Sequence, residues 1–133
     1  MKDIVKVGLI GFGTVGAGVA KIMCGQQKPH LRGRAFCLDL IKIADLDITT
    51  DRGVDVPEGA LTTRIEDILD DPEIDIIIEL IGGYEPARQI TLTAFEKGKS
   101  VVTANKALVA KHGSELFRAA TRANVSYMFE ASV

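Results

Sequence analysis

The sequence predicts an α/β fold, a doubly wound parallel sheet in three layers that forms a single domain. Apolar runs that resemble strands alternate along the chain with stretches of helical periodicity, as in parallel sheets whose strands are joined by helices. The runs are almost continuous in Ile, Val and Leu, as in IDIIIELI, which suits strands covered on both faces. The length of 133 residues, 47% of them hydrophobic, is sufficient for one ordinary core.

The strands are predicted where an apolar run is bounded by polar or turn-forming residues. We expect five of them, all in one parallel sheet. They lie at Ile4 to Ile10, Phe36 to Ala44, Ile74 to Leu80, Ser100 to Thr103, and Val125 to Glu130.

The first helix is predicted over Val15 to Met23, a stretch rich in Ala and Val. Gly25 to Arg34 is polar and contains Pro and Gly, so it is predicted to be an exposed loop, as is Asp47 to Gly59. Thr63 and Glu66 have the spacing of a capping box, which predicts a short helix that ends before Asp71.

Two longer helices are predicted in the second half of the chain. Pro86 is expected to begin one that Gly98 ends, because proline suits the first turn of a helix and glycine the position after its end. Gly113 and Ser114 are expected to begin the other, which ends near Asn124.

Composition excludes several classes of function. The formal net charge of -2 and the 5% of aromatic residues provide neither a basic face nor stacking side chains for nucleic acid. There is no apolar run of membrane-spanning length and no signal-peptide pattern, so we expect a soluble cytoplasmic protein. Cys24 and Cys37 fit neither a CxxC pair nor a metal cluster, and we expect both to be buried without a disulfide.

The most informative motif is GFGTVG, from Gly11 to Gly16, directly after the first strand. In a Rossmann-like dinucleotide site, the first glycine permits a tight turn and the second lets the backbone approach the pyrophosphate. The third lets the following helix lie close to the sheet. N–H groups at the start of that helix then face the anion. The alternative is a tight strand-to-helix turn without a ligand.

Ligands of such sheets bind beyond the carboxyl ends of the strands, where Asp45 follows the second strand. A carboxylate there can bond the ribose hydroxyls and repel a 2′-phosphate, which favours NAD. Arg52 lies in the nearby loop and could bind that phosphate, so NAD and NADP both stay open. The alternatives are a turn cap for Asp45 and a solvated side chain for Arg52.

Further polar or glycine residues follow the third and fourth strands. Gly82 and Gly83 would let the backbone approach a cofactor, or form only a turn. Glu79, within the third strand, is expected to bond neighbouring backbone, although a carboxyl group there could also belong to an active site. Asn105 and Lys106 could hold a nicotinamide and polarise a substrate carbonyl, or be a helix cap and a surface residue.

Four segments, GLIGFGTVG, ELIGG, VVTANKALVAKHG and MFEASV, occur in an order that resembles homoserine dehydrogenase across nearly all 133 residues. The TANKALVA and EASV motifs are more specific than the glycine loop. The resemblance implies the N-terminal NAD(P)-binding domain of an enzyme that reduces L-aspartate 4-semialdehyde to L-homoserine. That reaction belongs to threonine, methionine and isoleucine biosynthesis.

The resemblance also implies site residues. Phe12, Thr14 and Val15 would contact the cofactor through the glycine loop, and Lys106 would touch cofactor and substrate as the candidate catalytic residue. The nicotinamide ribose would be bordered by Gly82, Gly83, Thr103 and Asn105. Glu130 and the carbonyl of Val133 resemble the first ligands of a sodium site.

Family members continue past EASV with further sodium ligands and a catalytic, dimerising domain, so we expect a truncated chain that binds cofactor but does not turn over substrate. The parent protein is expected to be a homo-oligomer through that domain, with no kinase module before Met1. A nucleotide-sensing regulatory module is one alternative function. The other is a different NAD(P)-dependent dehydrogenase with the same nucleotide domain, such as one with a Cys nucleophile.

Overall fold

A computed structural model describes residues 4–24, 37–50, 53–54, 56 and 58–129. Within these residues, six parallel strands form one sheet in the order β3-β2-β1-β4-β5-β6. The strands are β1 (Ile4–Ile10), β2 (Cys37–Ala44), β3 (Leu61–Thr62), β4 (Ile76–Glu79), β5 (Ser100–Thr103) and β6 (Tyr127–Phe129). The helices are α1 (Thr14–Cys24), α2 (Glu66–Leu69), α3 (Ala87–Glu96) and α4 (Lys106–Ala123). The predicted α/β class and parallel sheet are confirmed.

The predicted strands are close to the observed ones, with one addition. β1 and β5 have the predicted bounds, whereas the third predicted strand is shorter, at Ile76–Glu79. Strand β3 was not predicted, because two residues are too few to show a periodic pattern. It is held by backbone bonds at both ends, including Asp45 N–H to the Thr62 carbonyl at 3.0 Å. Phe36 and Glu130, at the predicted ends of two strands, lie outside the described residues, as does the predicted loop 25–34.

The predicted capping box is wrong. The residue before α2 is Ile65, and no side chain bonds the free N–H groups there. Thr62 takes the role expected of Thr63, because its hydroxyl accepts from Arg64 N–H and donates to the Asp67 carboxyl group. The pairing of β3 with β2 holds Thr62 in the position from which it reaches that turn.

The predicted ends of α3 are confirmed. The helix begins directly after Pro86. At its other end, Gly98 follows the last residues of the helix and has φ of 77°, the left-handed conformation that ends a helix. The N–H groups of Gly98 and Lys99 donate to the Phe95 and Ala94 carbonyls, which closes the helix in the Schellman pattern.

The predicted start of α4 is wrong. The helix begins at Lys106, because the Asn105 side chain caps it by accepting from Leu108 N–H at 3.0 Å. Gly113 is buried in the middle of the helix, where a Cβ atom would lie 3.4 Å from Val109 Cγ1. The predicted end is confirmed, since Asn124 has φ of 59° and ends the helix in the left-handed conformation.

Two apolar cores, one on each face of the sheet, make the fold three-layered. Val7 and Leu9 of β1 join Ala20 of α1 in one core, whereas Ile10 of β1 joins α2, α3 and α4 in the other. Alternate residues of β1 therefore enter opposite cores, as the period of a strand requires. None of the described helices is long and apolar enough to cross a membrane.

The strand order reverses direction at the centre of the sheet. The chain runs outward from β1 through β2 to β3, and then returns to β4 on the other side of β1. Loops after β1 and β4 therefore diverge and leave a crevice at the carboxyl ends of these strands, which is where ligands of open α/β sheets bind.

Candidate functional site

The loop after β1 has the geometry of a phosphate-binding turn. Gly11 has φ of 106°, a conformation that other residues rarely adopt. A Cβ atom on Gly16 would lie 2.0 Å from the Gly11 carbonyl oxygen, so glycine is required there. A Cβ atom on Gly13 would meet no atom within 4 Å, because this backbone borders open space. Gly11 and Gly16 are thus needed by the turn itself, and the cofactor contact expected of Gly13 stays a prediction.

Helix α1 begins at Thr14, directly after this loop, and its first turn contains no acidic residue. The first N–H groups of a helix have no acceptor within the helix and carry partial positive charge. Val15, in the same turn, is 64% exposed. The start of α1 can therefore receive an anion, which is what the interpretation of the glycine loop requires.

Asp45, which follows β2, joins its own loop to the glycine loop. Its Oδ1 accepts from Phe12 N–H at 3.2 Å and its Oδ2 from Asp47 N–H at 3.1 Å. The turn-capping alternative is therefore observed, whereas a bond to a ribose stays a prediction. The Phe12 side chain is 3% exposed and packs in the core with α1, so a cofactor contact by this residue would involve its backbone.

A cavity of about 580 Å³ lies beyond the carboxyl ends of β1, β2 and β4, within the size range of small-molecule sites. Gly11, Gly13 and Asp45, all predicted from the sequence, line it. Leu46, within the predicted stretch Asp45 to Asp47, also lines it, as does Leu80, which was not predicted. The available signal for Leu80 was its position directly after β4, but an apolar residue there is not distinguishable from a core residue in the sequence.

Asp47 adds a second carboxyl group to this cavity. It accepts hydrogen bonds from the backbone and hydroxyl groups of Thr49 and Thr50. These bonds, led by that from the Thr50 hydroxyl, lower the pKa of Asp47 to about 2. Asp47 is therefore ionised at neutral pH.

A smaller cavity of about 160 Å³ adjoins the first and shares Leu80 with it. The structure here brings together three predicted residues from different parts of the chain: Val15 of α1, Gly82 after β4 and Asn105 after β5. Gly82 and Gly83 have φ of 76° and 74°, so this turn depends on glycine.

Hydrogen bonds join the loops after β4 and β5 beside this smaller cavity. Glu79 is fully buried, and its Oε2 accepts from the N–H groups of Ile81 and Gly82 at 3.0 and 3.3 Å. Its Oε1 accepts from the Thr103 hydroxyl at 2.8 Å, and that hydroxyl accepts from Asn105 N–H at 2.9 Å. The expectation that Glu79 bonds neighbouring backbone is confirmed. The bond to Thr103 was missed, because it joins residues that are distant in sequence.

Tyr127 lies close to these groups. Its hydroxyl is buried and has no hydrogen-bond partner among the described residues. Burial, with a smaller effect of Glu79, raises the pKa of Tyr127 to about 12. The phenol therefore stays neutral at physiological pH.

Lys106, the candidate catalytic residue, is exposed and is the first residue of α4. It directly follows Asn105, whose Nδ2 donates to the Gly83 carbonyl at 2.6 Å, so its backbone is anchored beside the smaller cavity. Arg52, Glu130 and Val133, also predicted as site residues, lie outside the described residues.

One further depression, of about 620 Å³, is formed by residues of α4 alone, such as Phe117 and Arg118. It contains none of the predicted residues and does not adjoin the ends of the strands. The crevice between β1 and β4 is therefore the candidate site.

Comparison with known proteins identifies the family of the chain. A family model described as "Homoserine dehydrogenase, NAD binding domain" matches residues 11–130. The homoserine dehydrogenase of Bacillus subtilis is 42% identical over 97% of this chain, and that of Corynebacterium glutamicum is 44% identical over 97%. A crystal structure of a homoserine dehydrogenase from Thiobacillus denitrificans superposes with a TM-score of 0.86 at 42% identity over 96% of the chain.

The match covers only part of these relatives. The chain spans 30% of the Bacillus subtilis protein, 29% of the Corynebacterium glutamicum protein and 30% of the Thiobacillus denitrificans chain. The chain belongs to the family of homoserine dehydrogenase NAD-binding domains.

Proposed function

We propose that this chain binds NAD(H) or NADP(H) in the crevice between β1 and β4, and that the full-length protein interconverts L-homoserine and L-aspartate 4-semialdehyde. The observation that carries the proposal is the glycine loop, in which Gly11 and Gly16 are required by the turn while Gly13 borders open space. Family membership supports the same activity.

The residues present fit a dinucleotide. Gly13 exposes backbone to the larger cavity, and α1 begins directly after it with a first turn whose N–H groups have no acceptor within the helix, which favours binding of a pyrophosphate there. Asp45 lines the same cavity at the end of β2, the strand next to β1, which favours binding of the adenosine ribose there. The smaller cavity, next to Gly82 and Asn105, suits the nicotinamide half.

Within this arrangement, the chain's own residues position the reacting groups. The bond from Asn105 to the Gly83 carbonyl holds the loops after β4 and β5 together, and Lys106 follows at the start of α4. When bound, the nicotinamide supplies or accepts a hydride. The Lys106 ammonium would stabilise negative charge that develops on the substrate carbonyl oxygen.

The activity is tested in the full-length parent protein by homoserine-dependent reduction of NAD or NADP. Lys106→Ala should lower kcat/KM by at least about 100-fold, the usual loss for an electrostatic group at a reacting oxygen. Lys97→Ala is the matched control, since Lys97 pairs with Asp70 away from the crevice and its loss should leave kcat/KM unchanged. Unchanged activity in the Lys106 variant would remove this residue from the mechanism.

For the coenzyme, we propose a preference for NAD, because two carboxyl groups, of Asp45 and Asp47, line the cavity where a 2′-phosphate would lie. Asp45→Asn should improve the affinity for NADP relative to NAD by about 1 kcal/mol. Arg52→Ala tests the opposite case. If Arg52 binds the phosphate, NADP alone should weaken, by roughly 1 to 3 kcal/mol.

The remaining features implied by the family are also proposals. We expect the parent protein to be a cytoplasmic homo-oligomer, which sedimentation of the purified protein and cell fractionation would test. A sodium ion is expected at Glu130 and the Val133 carbonyl, and replacement of sodium by potassium in the assay of the parent protein tests it. Among the described residues, no group of three or more His, Cys, Asp or Glu side chains is placed to hold a metal.

The two alternative functions have less support. A sensing module has no need of a lysine beside the nicotinamide half, and the family match does not favour it. A dehydrogenase with a Cys nucleophile would need that residue after a strand. Cys24 instead ends α1 and Cys37 begins β2, so both belong to the opposite edge of the sheet.

A further inference from the structure

The buried carboxyl group of Glu79 is costly to the fold. An acidic side chain that is fully removed from water loses its hydration, and the loss is large unless other groups replace it. Within the described part of the chain, Glu79 forms no ion pair, and its partners are two backbone N–H groups and one hydroxyl. An apolar residue at the end of β4 would avoid this cost. Stability alone therefore does not explain why a carboxyl group is buried at this position.

These bonds complete a closed ring across two loops. Glu79 holds the backbone of Ile81 and Gly82 with one oxygen and the Thr103 hydroxyl with the other. Thr103 accepts from Asn105 N–H, and Asn105 donates to the Gly83 carbonyl, which returns the ring to the loop after β4. Each loop is therefore held in place by the other.

The loop after β4 needs such support. Gly82 and Gly83 both have positive φ, and a Cβ atom on either would meet no atom within 4 Å, so neither is held by side-chain packing. Consecutive glycines have more backbone freedom to lose than any other pair of residues. The two hydrogen bonds that Glu79 accepts from Ile81 and Gly82 restrict the start of this turn, and the bond that the Asn105 amide donates to the Gly83 carbonyl restricts its end.

We propose that Glu79 is a positioning residue that holds the loops after β4 and β5 in the shape that receives the nicotinamide half of the coenzyme. The inference rests on the proposed coenzyme site and adds a residue that touches no ligand, since its side chain has no exposed surface. Thr103 has the same positioning role, because its side chain is also fully buried and its hydroxyl joins Glu79 to Asn105 in the ring of hydrogen bonds.

The test compares two probes that occupy different parts of the crevice. NADH spans both cavities, whereas ADP reaches only the glycine loop and the adenosine end. Glu79→Gln keeps one acceptor oxygen and replaces the other by an NH2 group, so either the Thr103 hydroxyl or the two backbone N–H groups lose their acceptor. We expect the affinity for NADH, measured by calorimetry on the folded protein, to fall about tenfold, while the affinity for ADP stays within about twofold.

Threonine variants provide a second, independent measurement. Thr103→Val removes the hydroxyl at nearly constant volume and should reproduce the selective loss of NADH affinity. Thr103→Ser keeps the hydroxyl and should retain the affinity of the unmodified protein for NADH. Thr91→Val is the matched control, because Thr91 is equally buried but its hydroxyl bonds the Ala87 carbonyl within α3. It should leave both affinities unchanged.

Each outcome decides a different question. If the unmodified protein binds neither NADH nor ADP, the proposed coenzyme site is wrong. If it binds both, and the Glu79 variant loses neither or loses both equally, the positioning role is wrong. If Glu79→Gln does not fold, the ratio of NADH to ADP affinity in Thr103→Val decides the proposal by the same criterion.

Discussion

Gly16 and Gly18 lie in the same helix, but only Gly16 is constrained by its surroundings. A Cβ atom at Gly16 would overlap the Gly11 carbonyl oxygen at 2.0 Å, whereas one at Gly18 would meet no atom within 4 Å. The oxygen belongs to the backbone of the glycine loop and cannot move without reshaping that loop. Gly18, in contrast, carries only the ordinary entropic cost of glycine in a helix.

Alanine substitutions should therefore have opposite effects at these two positions. Gly16→Ala is expected to lower the free energy of unfolding by at least about 2 kcal/mol through overpacking and to abolish NADH binding. Gly18→Ala should raise the free energy of unfolding by roughly 0.5–1 kcal/mol. Urea titrations of both variants measure the difference, and equal stability would contradict the geometry of the turn.

Asp47 makes a pH-dependent contribution to the turn that follows β2. Its pKa is lowered from the ordinary 3.8 to about 2, so the folded state favours the ionised form. A lowered pKa stabilises the fold above the unfolded value, and this contribution is lost as pH falls from about 4 to about 2.

Carboxyl carbon NMR of the folded protein should show Asp47 titrating near pH 2. Thr50→Val removes the hydroxyl that contributes most to the shift and should move the midpoint upward. Thr49→Val removes a longer hydroxyl bond, of 3.3 Å, and should have the smaller effect. A midpoint that does not respond to Thr50→Val would contradict this assignment.

At the scale of elements, hydrogen bonds of Lys99 join two segments at the edge of the sheet opposite the crevice. This residue lies between α3 and β5 and is only 3% exposed. Its Nζ donates to the Asp71 and Ile74 carbonyls at 2.6 and 2.9 Å, which ties the segment before β4 to the start of β5. A buried ammonium is tolerated because the two backbone carbonyls replace part of its hydration.

Lys99→Met should lower the free energy of unfolding by about 2 kcal/mol, because the buried Ile74 carbonyl loses its donor, whereas the Asp71 carbonyl keeps the bond from Ile74 N–H. Lys97→Met is the control, two residues away. Lys97 pairs with Asp70 at 2.8 Å on the surface, where both side chains are largely exposed, and such pairs contribute at most ~1 kcal/mol. Thermal unfolding of the two variants tests the contrast, and equal losses would contradict it.

Elements with a strong local pattern were predictable. β1 and β5 are rich in Val and Ile or Leu, and α3 has a proline before it and a glycine after it, so local preferences agree with the tertiary structure. For α4, the sequence offers two start signals, Gly113 with Ser114 and the alternative cap at Asn105, and the structure has the cap at Asn105. β3 has only two residues and exists because β2 is beside it.

For the whole molecule, we expect the 133-residue chain to bind a coenzyme without turning over substrate. It spans 30% of the Bacillus subtilis relative, and hydride transfer requires a substrate held against the nicotinamide. The chain should bind NADH in calorimetry and show no homoserine-dependent NAD or NADP reduction, whereas the full-length parent should show both. Clear turnover by the chain alone would contradict this expectation.

The sequence by itself determined the fold class, the glycine loop and the polar residues that follow the strands, because these depend on composition, period and short spacing. The tertiary structure alone decided which of those residues meet. It placed Val15, Gly82 and Asn105 around one cavity and joined Glu79 to Thr103, which lie 24 positions apart. Hydrogen bonds between parallel strands depend on register and on the path of the crossovers, and neither leaves a local pattern in the chain.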